Sequence, residues 1–218
     1  LVAVDKQTGD RGWFCTHVSE GCRNCYAEKL NVEGMAGKFG TGHEYKHQNL
    51  SEIRFEVRNA DQPIRWQKPR CAFVNSMTDL FHEEVPREII HRTFAAIALA
   101  PTHRFLILTK RPGEMRDYLT DNGTPIRVSE HMEALIEPEH QINGSWAETR
   151  TREIRTYDKA WPPENAWLGV SAEDQDAANE RIPTLLSCPG RARFVSVEPI
   201  IGPVDLTNVE TIDSATGE

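Results

Sequence analysis

The chain has 218 residues, enough for one domain that buries roughly 70% of its unfolded surface. It is 39% hydrophobic and 27% charged, which excludes wholesale disorder, and its longest apolar run, Phe94 to Ala100, is far too short to span a bilayer. A formal charge of −8 argues against indiscriminate nucleic-acid binding and leaves room for a local basic groove.

In chain order, the first 70 residues predict one strand, around Trp13 to Val18. The apolar run from Cys71, ending in Asn75 and Ser76, predicts a buried strand. Pro86 to Ala100 predicts a helix, with Pro86 in its first turn, Ile89, Ile90, Phe94 and Ile97 as its apolar face, and Pro101 as its stop. Phe105 to Thr109 predicts the next strand, and Arg111 to Leu119 a helix stopped at Asn122-Gly123. Residues 124 to 164 carry many acids and a late Arg group, and read as a solvated surface insertion with one helix near Ser129 to Ile136. The rhythm then resumes with a strand at Trp167 to Ser171, a helix at Asp174 to Leu186 and a strand at Phe194 to Val197. From Glu198 the chain has five acids and no Lys or Arg, and reads as a fraying or truncated end.

Apolar strands alternating with amphipathic helices predict an α/β fold with a parallel sheet and right-handed crossovers. A closed eight-fold barrel usually takes about 250 residues, so an open or partial (β/α) barrel with insertions is expected. The expected organisation is one domain over 1–206, with a cysteine segment at 12–30, an insertion at about 120–164, and an acidic tail at 207–218.

Each of the four expected strands after residue 70 ends in polar residues. Ser76 and Asp79 follow the first, Thr109 and Lys110 the second, Ser171 and Glu173 the third, and Glu198 the fourth. Ligands of parallel α/β folds bind at this edge of the sheet, so these seven are the candidate cofactor-binding residues. Ser171 and Asp174 also suit a helix cap. Lys110 beside Arg111 suits a carboxylate or phosphate. Arg65, Lys68 and Arg70 surround Trp66, a solvated loop by default and a nucleic-acid contact in its sharper reading. His82, His91, Tyr26 and Tyr118 are expected in structural roles.

The five cysteines divide into three and two. Cys15, Cys22 and Cys25 follow a C-x6-C-x2-C spacing, and an odd total without a signal-peptide pattern fits poorly with a disulfide framework. Cys22 and Cys25 are close enough to reach one metal, and Gly21 permits the turn that brings Cys15 round. Three thiolates leave one position open: on a [4Fe–4S] cluster for a substrate or cofactor, on zinc for His17 or a distant ligand. Cys71 and Cys188 read as small buried hydrophobes.

The ordered set S-x-G-C-x2-C-Y-A, F-V-N-S-M-T-D-L-F-H, L-T-K-R-P, W-L-G-V-S-A-E-D-Q, E-R-I-P and R-F-V-S-V-E-P-I-I-G-P-V-D-L spans residues 12 to 30 and 70 to 206. It resembles the phage-associated radical-SAM-like family named after phage gene products thirty-seven and sixty-eight, itself distantly similar to spore photoproduct lyase. Most radical SAM enzymes have a first cysteine gap of three where this chain has six. The resemblance implies a partial (β/α) barrel with a [4Fe–4S] cluster on Cys15, Cys22 and Cys25. It implies S-adenosylmethionine on the open iron, an electron donor, and a 5′-deoxyadenosyl radical acting on an unknown substrate. The lyase resemblance points to a nucleic-acid base. The expected compartment is the cytoplasm, with no membrane partner. The alternative is a zinc-stabilised or metal-free α/β binding protein of phage or mobile-element origin.

Overall fold

The computed structural model describes residues 2–34, 40, 42–45, 53–56, 60–140 and 161–209. Four strands, which follow three N-terminal ones, form a parallel sheet in sequence order: β4 (Cys71–Val74), β5 (Arg104–Thr109), β6 (Ala166–Ser171) and β7 (Ala192–Ser196). Side chains alternate across such a sheet. Phe105 and Ile107 of β5 and Ala166, Leu168 and Val170 of β6 are buried on one face.

Helices cover that face. In α2 (Arg87–Ala98), Ile90, Phe94 and Ile97 form the inner stripe. Met115, Tyr118 and Leu119 do so in α3 (Pro112–Thr120), and Ala178, Ile182 and Leu185 in α5 (Gln175–Ser187). The Asp174 side chain caps α5, accepting from the Ala177 N–H at 2.8 Å. All four strands point the same way, so their polar C-terminal ends share one rim.

The acid-rich segment differs from the expected surface excursion. Its first part is a 17-residue helix, α4 (Thr124–His140), whose Val128, Met132 and Ile136 are fully buried in the main core. The spacing i, i+4, i+8 puts these three on one stripe, while Glu130 and Glu133 lie off it. Residues 141–160 lie outside the described residues.

Trp13 to Val18 forms no strand. Asn31 is fully buried and its side-chain oxygen takes the Trp13 N–H at 2.7 Å. The N-terminal strands lie on either side of this segment, as an antiparallel sheet in the order β2–β1–β3: β1 (Val2–Asp5), β2 (Arg11–Gly12) and β3 (Ile53–Glu56). Residues 198–209 are fastened rather than frayed: the Ile201 and Gly202 N–H groups donate to the Glu173 carbonyl at 3.0 and 3.3 Å. Most of the expected acidic tail, from 210 on, lies outside the described residues. Cys188 is buried as expected, but Cys71 is exposed, because its register with Arg104 puts it on the sheet face opposite helix-covered Phe105 and Ile107. Among the described residues, no helix is long and apolar enough to cross a membrane.

Candidate functional site

The segment after Gly12 carries Cys15 on irregular backbone, then tightens. Glu20–Asn24 is a 3₁₀ turn in which Cys22 N–H bonds Ser19 and Cys25 N–H bonds the Cys22 carbonyl at 3.2 Å. Cys25 leaves the turn in an extended conformation, with its N–H still bonded to Cys22. Cys25 then opens α1 (Tyr26–Glu33). Two tyrosines tie this segment to the loop after β4. Tyr26 Oη donates to the Ser76 carbonyl at 2.9 Å, and Tyr45 Oη to the Met77 carbonyl at 2.7 Å.

Cys15, Cys22 and Cys25 line one cavity of about 570 Å³. Six of the seven strand-end residues line it with them: Ser76, Asp79, Thr109, Lys110, Ser171 and Glu198. The flanks of the thiols are apolar, since Cys15, Cys25 and Met77 pack on buried Trp13, Ala27 and Tyr45. Among the described residues, no group of three or more His, Cys, Asp or Glu is arranged to hold a metal ion.

Glu173 does not line the cavity. Its carboxylate is fully buried beneath the cysteine turn, with Arg181 Nη1 at 2.8 Å and Lys110 Nζ at 3.2 Å. Ser19 Oγ donates to it as well. Burial pushes the Glu173 pKa up, but these hydrogen bonds and the two cations more than offset that and hold it below the usual 4.5. Lys110 Nζ meets Glu173 as a charge contact and makes no hydrogen bond among the described residues.

Asp79 and Arg111 form a second knot. Asp79 accepts from Thr109 Oγ1 at 2.8 and 2.9 Å and from the Lys110 N–H at 3.1 Å. Arg111 Nη1 lies 3.3 Å from Asp79 and 4.0 Å from Cys15 Sγ, while Nε donates to Glu83 at 2.8 Å. Its Nη2 donates to both oxygens of Thr16, at 3.2 and 2.8 Å. Lys110 and Arg111 therefore serve different carboxylates rather than one ligand. Burial, with Asp79 adding to it, pushes the Cys15 thiol up to about 11, against the pull of Arg111.

His82 completes this side. The Glu84 N–H donates to its Nδ1 at 3.1 Å, so Nε2 carries the proton and donates to Thr16 Oγ1 at 2.8 Å. Burial, then Arg111, lowers its pKa to about 4. His17 is held at 2.8 Å by Glu28 and does not line the cavity. His91 and Tyr118 bond each other at 3.1 Å in the core. The sequence reading missed Thr16, Ser19 and Arg181. Arg181 carried a usable signal, a cation on the buried face of α5 eight residues after Glu173.

A family model described as a protein of unknown function, DUF5131, matches residues 6–217. The chain belongs to the DUF5131 family. Among curated proteins and among solved structures, this DUF5131 chain has no match. The DUF5131 match takes in the cysteine segment and all four parallel strands, so the cavity lies within the matched region.

Proposed function

We propose that this protein is a radical-SAM-like enzyme, with a partial (β/α) barrel, a [4Fe–4S] cluster on Cys15, Cys22 and Cys25, and S-adenosylmethionine in the adjoining cavity. One observation carries the reading: three thiols and the C-terminal ends of parallel strands line the same cavity. A four-iron cube takes each thiolate on a different iron, so it needs sulfurs around a space rather than at one point. The apolar packing of Cys15 and Cys25 suits a cluster shielded from water. Bound there, the cluster would supply the electron that cleaves the cofactor's sulfonium.

The chain's own residues divide the remaining work. The neighbouring hydroxyls of Ser171 and Ser196 receive the cofactor's carboxylate, beside Lys110, whose Nζ stays paired with Glu173. Exposed Glu198 accepts from an ammonium or ribose hydroxyls. Asp79, Arg111 and Glu173 touch no ligand in this reading; they hold the loop and the rim in place.

The test is anaerobic purification, reconstitution with iron and sulfide, and metal analysis of the wild type and Cys22→Ala. The expected wild type is brown, with about four irons per chain, and yields 5′-deoxyadenosine from S-adenosylmethionine and a reductant. Cys22→Ala loses the iron. A colourless wild type that carries zinc overturns the reading.

A further inference from the structure

Arg111 meets the cysteine segment at two points. Its Nη2 donates to the Thr16 carbonyl and hydroxyl, and its Nη1 lies 4.0 Å from Cys15 Sγ, near the outer limit for a bond to the larger sulfur atom. The guanidinium side chain is only 7% exposed, so water screens its charge little. The bonds from Nη2 to Thr16 and from Nε to Glu83 suffice to tie the loop to the rim. Nη1 is the nitrogen left to face the sulfur and the Asp79 carboxylate, 3.3 Å away.

The surroundings of Cys15 suit a sulfur that has lost its proton. As a thiol, Cys15 Sγ donates weakly to the Thr16 carbonyl at 3.6 Å. A metal-binding thiolate has no proton to give. The carbonyl then keeps its bond from Arg111 Nη2, so losing the proton leaves no buried acceptor unpaired. Burial and the Asp79 carboxylate disfavour charge on this sulfur, while Arg111 and the Asp79 backbone N–H favour it. Cys22 meets a neutral group instead, Ser19 Oγ at 3.7 Å.

We propose that Arg111 raises the reduction potential of the proposed cluster through Cys15, and that Asp79 and Glu83 limit the rise. The inference rests on the iron–sulfur reading. Reduction adds one electron, supplied by a low-potential one-electron donor, to the cluster and its three thiolates; no bond breaks and no proton moves. A buried cation stabilises the added negative charge and a buried anion opposes it. Cluster potentials follow net charge and hydrogen bonds to the sulfurs. Arg111 touches no cofactor atom and acts through Cys15, so it is a positioning residue.

The test is a redox titration of the reconstituted full chain, followed by the paramagnetic resonance of the reduced cluster, with iron counted per chain. Wild type is compared with Arg111→Gln, Asp79→Asn and Glu83→Gln. Arg111→Gln is expected to lower the ratio of reduced to oxidised cluster about tenfold at a fixed solution potential, which is about 59 mV for one electron. Asp79→Asn is expected to raise the ratio by a similar factor. Glu83 is half exposed, so Glu83→Gln is expected to raise it less, about threefold. Opposite signs are the mark of charge, because a loop that merely loosened would admit water and move all three variants the same way. Unchanged potentials in iron-loaded variants, or Arg111→Gln and Asp79→Asn moving together, would overturn the proposal. If Arg111→Gln fails to fold or to take up iron, the two acid variants carry the test, since both keep the guanidinium, and no rise in either overturns it. A wild type without iron would sink the iron–sulfur reading and this inference with it, a different result from a loaded cluster whose potential ignores Arg111.

Discussion

The Glu173 carboxylate occupies the space a side chain at Gly21 would need. A Cβ on Gly21 would lie 2.9 Å from Cγ, Cδ and Oε1 of Glu173, and Arg181, Lys110 and Ser19 pin that carboxylate in place. The cysteine turn therefore rests directly on a buried ion-pair network. Gly21→Ala forces the turn away. The expected cost is about 1–3 kcal/mol in urea unfolding, with faster alkylation of the buried Cys22. An unchanged alkylation rate would show that the turn does not depend on this contact.

Glu173 also predicts an acid limit. Its folded pKa lies below 4.5, so the folded state binds this proton more weakly than the unfolded chain. The stabilisation is complete above about pH 4.5 and is lost as pH falls through the folded value. Glu173→Gln leaves Arg181 buried beside a neutral amide and costs about 3–5 kcal/mol at pH 7. The gap between wild type and variant, read from unfolding midpoints between pH 7 and 3, is expected to narrow below pH 4.5. A constant gap would contradict the ion pairing.

Arg111→Lys tests the second knot. One guanidinium serves Asp79, Glu83 and Thr16 from three nitrogens, and an ammonium cannot span them. The expected result is a loss of about 1–3 kcal/mol and faster alkylation of Cys15, whose neighbour Thr16 is released. The same rate as wild type would mean that His82 alone holds Thr16.

Helix α4 predicts a contrast between adjacent residues. Met132 is 1% exposed in the core, and Met132→Ala is expected to cost about 2–5 kcal/mol. Glu133 is exposed, and Glu133→Ala is expected to stay within about 0.5 kcal/mol. Thermal unfolding separates the two. Equal effects would return this segment to the surface.

Much of the sheet was legible because its signals are local. Apolar runs at Cys71, Phe105, Trp167 and Phe194, the first three followed by a helical pattern, mark strands whatever their partners. The N-terminal sheet was not legible. Its strands Val2–Asp5 and Ile53–Glu56 pair across some fifty residues, and short strands with charged residues carry little pattern of their own. The Val128, Met132 and Ile136 stripe was present in the sequence, but the neighbouring acids drew the reading toward the surface. In the candidate site, six strand-end residues meet the three cysteines, while Glu173 resembled them in sequence and lies buried beneath the turn.

By itself the sequence determined an alternating α/β chain, a cysteine trio on a tight turn, and polar residues at the strand ends. These follow from backbone periodicity and residue type, which act over a few neighbours. The tertiary structure alone decided that the trio and the strand ends share a cavity, and that Glu173 drops beneath the cysteine turn to pair with Lys110 and Arg181. A polar side chain's fate, whether solvated, ion-paired or aimed at a cavity, depends on which distant group reaches it. Arg181, Ser19 and Gly21 reach Glu173 from two different parts of the chain, and no local pattern records that meeting.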